Sequence, residues 1–141
     1  MYPRILVALE NGAADQALVP HIAQLAERLG SELVLIHVAD GWAARNFQAL
    51  KLAESEEIRA DRQYLESVAA SLAARGLRVR HLLAMGDPAT EILKAAIAEG
   101  CDLIAMASHG HRFIGDLVYG STISEVRHKA PMPVLLVRAG G

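Results

Sequence analysis

The chain has 141 residues, enough for one domain with a substantial core, and its 52% hydrophobic content argues against disorder. A net charge of −2 offers no bulk attraction to nucleic acid or to an anionic membrane. Aromatic residues are only 4%, so the core must be aliphatic, and the single cysteine, Cys101, excludes an intrachain disulfide and a cysteine zinc site.

The first apolar run, Ile5 to Leu9, is too short for a signal-peptide core, and no later stretch approaches membrane-spanning length. A reducing cytoplasm is therefore the expected location. Ile5 to Leu9 reads as a strand ending in the turn cluster Glu10-Asn11-Gly12. From Ala13 to Leu29, Leu18, Ile22, Leu25, Ala26 and Leu29 recur at helical spacing, and Gly30 ends the run. Pro20 inside it predicts a kink or a late start. Leu33 to Val38 is a second strand, apolar except for His37, which reads as a hydrogen-bonded core residue.

Periodicity leaves Trp42 to Leu52 open between loop, frayed helix and lid. Ile58, Leu65, Val68 and Leu72 then mark a longer helix closed by Gly76. On its other face Arg45, Lys51, Arg59 and Arg62 mix with Glu54, Glu56, Glu57 and Asp61, which reads as a solvated surface. Leu77 to Met85 alternates and predicts a half-exposed strand near a sheet edge. Asp87 and Pro88 suit the N-cap and first position of a helix carrying Ile92, Leu93, Ala96 and Ile97, closed by Gly100. Cys101, just before the next strand, reads as an inert thiol. Met132 to Val137 is the final strand, with Pro131 and Pro133 favouring an edge or an entry. Strand–helix alternation throughout predicts a single α/β domain over residues 1–141, an open parallel sheet with helices on both faces.

The stretch Asp102 to Thr122 carries the chemistry. Leu103, Ile104 and Met106 form an apolar run that stops at Ser108-His109-Gly110. Nine residues separate Gly110 from Gly120-Ser121-Thr122, which precede a helical pattern from Ile123 to Lys129. A glycine-bounded loop feeding a helix N-terminus suits a phosphate, because free N–H groups and the positive end of the helix dipole face the anion. Thr122 with Glu125 also satisfies a capping box, which explains Thr122 without a ligand. Both readings fit the spacing. His109 reads as a solvent-facing loop histidine, with phosphate contact or acid–base work as the sharper alternative. Glu10 and Asp40 read as exposed turn carboxylates, or as a pair meeting across two strand ends at a metal or a ribose.

Other α/β chemistries are trimmed by what is missing. Only Gly12 follows the first strand, so the dinucleotide fingerprint is absent, and no GxxxxGK[ST] or GxSxG occurs. No Cys or His pairs recur at metal-ligand spacing, and the aspartates of a phosphate-accepting receiver are missing, with Met85-Gly86 after the third strand.

With these segments placed, the chain resembles the universal stress protein family over nearly its full length. The residues that carry the resemblance are ILVALENG, ELVLIHV, GDPATEILKAA and DLIAMASHG…GSTISEVRHKAPMPVLLV. Nucleotide-binding members carry glycine, two residues, glycine, nine residues, glycine, then Ser or Thr. Gly110, Gly120 and Ser121 match this pattern; Ala107 stands for its first glycine, Glu10 for the usual aspartate after the first strand, and Ile123 two residues after Ser121. The resemblance implies a Rossmann-like, five-stranded parallel sheet of the adenine nucleotide alpha hydrolase type, and a homodimer joined through Met132 to Val137. It implies ATP or AMP as ligand, with or without Mg²⁺, in a regulatory protein that is at most a slow ATPase. Val38 would present its backbone to adenine and Glu10 would approach the ribose. Ser108, His109, Gly110, Gly120, Ser121 and Thr122 would surround the phosphates, with Ala107 also in the nucleotide site, on the ribose or phosphate path, and Arg112 the nearest cation. The alternative is the family's nucleotide-free branch, acting through protein contacts.

Overall fold

Nine elements alternate along the computed structural model, which describes residues 1–39, 51–109 and 116–139. In chain order they are β1 (Arg4–Ala8), α1 (Asp15–Leu29), β2 (Glu32–Ala39), α2 (Lys51–Ala74), β3 (Val79–Met85), α3 (Pro88–Ala98), β4 (Leu103–His109), α4 (Asp116–Lys129) and β5 (Val134–Ala139). Asp40, Gly110, Arg112 and all of Trp42 to Leu52 except its last two positions lie outside the described residues.

The strands form one five-stranded sheet in the order β3-β2-β1-β4-β5. Every pairing is parallel, with Ala8 opposite Ile36 between β1 and β2, Val7 opposite Ala105 between β1 and β4, and Ala107 opposite Val137 between β4 and β5. The chain lays down β1, β2 and β3 in one direction, then returns to place β4 and β5 on the other side of β1. Strand order therefore reverses between β1 and β4.

Alternation along the strands divides the core into two layers. Ile5 and Val7 of β1 face Leu18, Ile22 and Ala26 of α1 and Leu65 and Leu72 of α2. Leu6 and Ala8 face the opposite layer, with Ile104 and Met106 of β4, Ala89, Ile92 and Ala96 of α3, and Val126 of α4. Helices thus cover both faces, and strands buried on both sides read as continuous apolar runs.

Three local outcomes differ from the sequence expectation. Helix α1 is continuous through Pro20 and starts at Asp15, two residues inside the periodic pattern. Pro20 lies on its exposed side, while Leu18 and Ile22 face the core. The last strand starts at Val134 rather than Met132, because prolines lack the N–H a ladder needs. Pro133 contributes its carbonyl instead, accepting from Ile104 N–H at 3.1 Å. Helix α4 starts at Asp116, seven residues before Ile123, so Gly120, Ser121 and Thr122 lie inside it. A single glycine costs a helix about 1 kcal/mol, too little to end one that packs against a sheet.

Several other expectations hold. Gly30 caps α1 in the left-handed conformation at φ 71°. Asp87 caps α3, its Oδ2 accepting from Thr90 N–H at 3.0 Å and from the Thr90 hydroxyl at 2.7 Å, with Pro88 opening the helix. At the amino ends of the strands, Arg4 and Arg80 both pair with Glu32, at 2.7 and 3.1 Å, and Arg80 also reaches Glu99 at 3.0 Å.

Candidate functional site

Ligands of open α/β sheets sit beyond the carboxyl ends of the strands, where strand order reverses. Here that place lies between the ends of β1 and β4. β1 delivers Glu10 two residues after its last rung, and β4 ends on His109. Their side chains meet: His109 Nε2 lies 2.8 Å from Glu10 Oε1 and 2.8 Å from Oε2. Only 13% of the His109 side chain and 14% of the Glu10 side chain are exposed. The Nε2–H donates to the carboxylate, shared between its two oxygens, and the charge on the acceptor strengthens the contact. His109 is therefore not the solvent-facing loop histidine of the simpler sequence reading, and Glu10 is not a free turn carboxylate.

The turn that carries Glu10 is itself held. Asp15, the first residue of α1, is 3% exposed. Its Oδ1 accepts from Glu10 N–H and its Oδ2 from Asn11 N–H, each at 2.9 Å. Asn11 takes the left-handed conformation at φ 60°, which asparagine tolerates better than most residues. The Tyr64 hydroxyl, from α2, donates to Asp15 Oδ2 at 2.5 Å. Burial, then the hydrogen bond to Asp15 and the charge on it, push the Tyr64 phenol above its ordinary range, so Tyr64 remains a donor.

Helix α2 makes a second contact with the same turn. Asn11 Nδ2 donates to Asp61 Oδ1 at 2.8 Å, and Asp61 Oδ2 lies 3.6 Å from His37 Nε2. His37 Nδ1 is 3.0 Å from the Leu9 carbonyl. A carbonyl only accepts, so Nδ1 carries a proton. His37 is the hydrogen-bonded histidine its place in an apolar strand suggests. Asp61, read from sequence as part of a solvated face, turns inward to the end of β1. Asp15, Tyr64 and Asn11 also escaped the sequence reading. A lone aspartate opening a helix looks like any first-turn acid, and its partner Tyr64 stands 49 positions away.

The remaining candidates divide. Ala107 is a β4 residue, 3% exposed, in the core layer that contains Ala105, Val137 and Ala139. Its backbone needs no positive φ, so its methyl group fits where the family pattern has glycine. Ser108 is half-buried beside Arg138 of β5. Val38 pairs with Ala84 of β3, but the β1–β2 register ends at Ala8 and Ile36, so Val38 extends beyond it on the β1 side. Thr122 is 6% exposed, on the same side of α4 as Val126, and the capping-box role fails because the helix has already begun. Gly120 and Ser121 are exposed. Among the described residues a Cβ added at Gly120 meets no atom within 4 Å beyond its own turn of helix, and its φ is not positive. Neither its backbone nor the described residues around it require glycine there.

Among the described residues, no group of three His, Cys, Asp or Glu side chains converges as metal ligands would. Cys101 is buried, and burial pushes its thiol up to about 11, as expected of an unreactive cysteine. A cavity of about 280 Å³ lies at the other end of the sheet, lined by Glu27, Gly30, Arg75 and Arg78. Both arginines are committed within the chain, Arg75 to Glu27 at 2.6 Å and Arg78 to the Gly30 carbonyl at 3.2 Å. Helix carboxyl ends border it, so the field there does not favour anions.

Strand order, two-sided helical cover and a polar pair at the reversal define a Rossmann-like α/β domain. The model of the universal stress protein family matches residues 1–138, and the chain belongs to that family. A universal stress protein of Thermus aquaticus is 34% identical over 98% of this chain and 100% of its own length. One of Methanocaldococcus jannaschii is 27% identical over 98% of this chain and 96% of its own length. The solved structure of that protein superposes with a TM-score of 0.87 at 26% identity, covering 100% of this chain and 99% of the other. An Archaeoglobus fulgidus universal stress protein solved in complex with dAMP shares the fold, with a TM-score of 0.70 at 16% identity over 97% of this chain and 98% of its own. A universal stress protein solved in complex with cAMP has a TM-score of 0.70 at 17% identity over 99% of this chain and 98% of its own. No helix among the described residues is long and apolar enough to cross a membrane.

Proposed function

We propose that this universal stress protein is a cytoplasmic regulatory protein that binds an adenine nucleotide, ATP or AMP, beyond the carboxyl ends of β1, β2 and β4. The observation that carries the reading is the Glu10–His109 pair at the reversal point. It sets a carboxylate acceptor suited to ribose hydroxyls beside an imidazole that holds it in place. In this reading Val38 offers its backbone to adenine, while Ser108, Gly110, Gly120 and Ser121 lie around the phosphates. Thr122, buried on α4, follows directly after them. Relatives of the same fold solved with dAMP and cAMP support the ligand class. Mg²⁺ would enter with the phosphates and water, held by few protein ligands. In this reading any hydrolysis is at most slow.

Calorimetry with ATP and Mg²⁺ on nucleotide-stripped protein tests the reading. Saturable heat is expected, and its loss in Glu10→Gln assigns the site. No heat at millimolar ligand leaves the alternative, a dimer without nucleotide that acts through protein contacts. Both readings include a homodimer through β5, whose place at the sheet edge leaves one side of its backbone open to pairing. Sedimentation of wild type against Leu136→Lys tests that interface, with a halved mass expected in the variant.

A further inference from the structure

We propose that Asp15 is the positioning residue of this site: its buried carboxylate sets the Glu10–Asn11 turn, and with it the contact between Glu10 and His109, while α2 holds the same turn through Tyr64 and Asp61. The inference rests on the nucleotide reading for its effect on binding, but not for its geometry. Glu10 is not placed by a strand. The β1 ladder ends at Ala8, and the following Leu9 N–H still reaches the Ile36 carbonyl at 2.8 Å. Beyond that point the Glu10 and Asn11 amides turn to Asp15 instead of a neighbouring strand.

The Asp15 carboxylate has three donors around it, the two amides and the Tyr64 hydroxyl. It also sits at the amino end of α1, where the helix dipole favours negative charge. Such an anion is firmly placed although it is 3% exposed, because each contact is charge-assisted. Asn11 adds the link to Asp61, so α1 and α2 grip adjacent residues of one turn. The Glu10 side chain leaves that turn and spans to His109 on the far side of the strand reversal. A shift of the Glu10 Cα changes the reach its side chain must make to keep both oxygens at 2.8 Å from His109 Nε2.

Asp15→Asn keeps the shape of the side chain and replaces one acceptor oxygen by a donor group, which then faces an N–H or the Tyr64 hydroxyl. The experiment reads the ring ¹⁵N resonances of His109 in wild type, Asp15→Asn, Tyr64→Phe and, as the reference for a broken pair, Glu10→Gln. Positioning predicts that Asp15→Asn moves the His109 resonances toward the Glu10→Gln values, and that Tyr64→Phe moves them part of the way. ATP affinity in folded Asp15→Asn should fall about tenfold, which corresponds to about 1.4 kcal/mol. Folded Asp15→Asn with His109 resonances at the wild-type position would overturn the proposal. Should that variant not fold, unchanged resonances in Tyr64→Phe overturn it equally. A purely stabilising Asp15 would lower the melting temperature without moving the His109 ring. Wild-type protein that binds no ATP removes the nucleotide reading and leaves the His109 measurement intact, so the two failures are distinct.

Discussion

The Tyr64 hydroxyl donates to Asp15 Oδ2 across 2.5 Å and so joins α2 to the turn between β1 and α1. Removing the hydroxyl in Tyr64→Phe should lower stability by about 2 kcal/mol, in the range for hydrogen bonds to charged groups, as read by urea denaturation at neutral pH. The pH dependence has a definite sign. In the folded protein the phenol is raised above its ordinary value of about 10, so the unfolded chain loses this proton first. The stability it contributes is complete below pH 10 and is lost as pH rises through the folded value. Cys101, raised from 9.0 to about 11, acts in the same direction in both proteins. The difference between wild type and Tyr64→Phe therefore isolates the phenol and should shrink above pH 10.

Gly120 offers a separation of fold from ligand. Because a Cβ there meets no atom of the described residues within 4 Å beyond its own turn of helix, Gly120→Ala should leave the fold intact and stabilise it by up to about 1 kcal/mol. In the nucleotide reading proposed above, the same methyl group would stand where the phosphates approach. Denaturation and calorimetry on one sample should show a higher midpoint together with weaker ATP binding. A raised midpoint with unchanged affinity would move the phosphates away from Gly120.

Asp87 tests the start of α3 apart from the site. Its carboxylate is held below the usual range, first by the Thr90 hydroxyl and then by the Thr90 amide. Asp87→Ala should cost about 1 kcal/mol at pH 7, as for other N-caps. A depressed carboxylate contributes stability above its unfolded value, and that contribution is lost as pH falls through the folded one. Melting curves should therefore differ between wild type and Asp87→Ala at pH 7 and converge in strong acid.

How much of this was legible in the sequence depends on the range of each interaction. The strands were visible because aliphatic runs buried on both faces need no partner to be recognised. Asp87 and Pro88 were visible because a cap is local, closing on Thr90 three residues away. Glu10 and His109 each stood out at a strand end, but their contact spans 99 positions and depends on β4 lying beside β1, which periodicity does not encode. Asp61 was misread because its charged neighbours set the pattern, while the residue that draws it inward, Asn11, lies 50 positions away. The start of α4 was misplaced for the opposite reason: Gly120 is a local signal for a boundary, and packing of the helix against β4 overrides it.

Cys101 lies under the sheet's amino ends, 5% exposed, as the chain's one thiol. A thiol reagent added to the native protein meets no accessible sulfur, so its reaction waits on the excursions that uncover the interior. The rate of that labelling is a clock for how often the domain opens, and no dye or mutation is needed to install it.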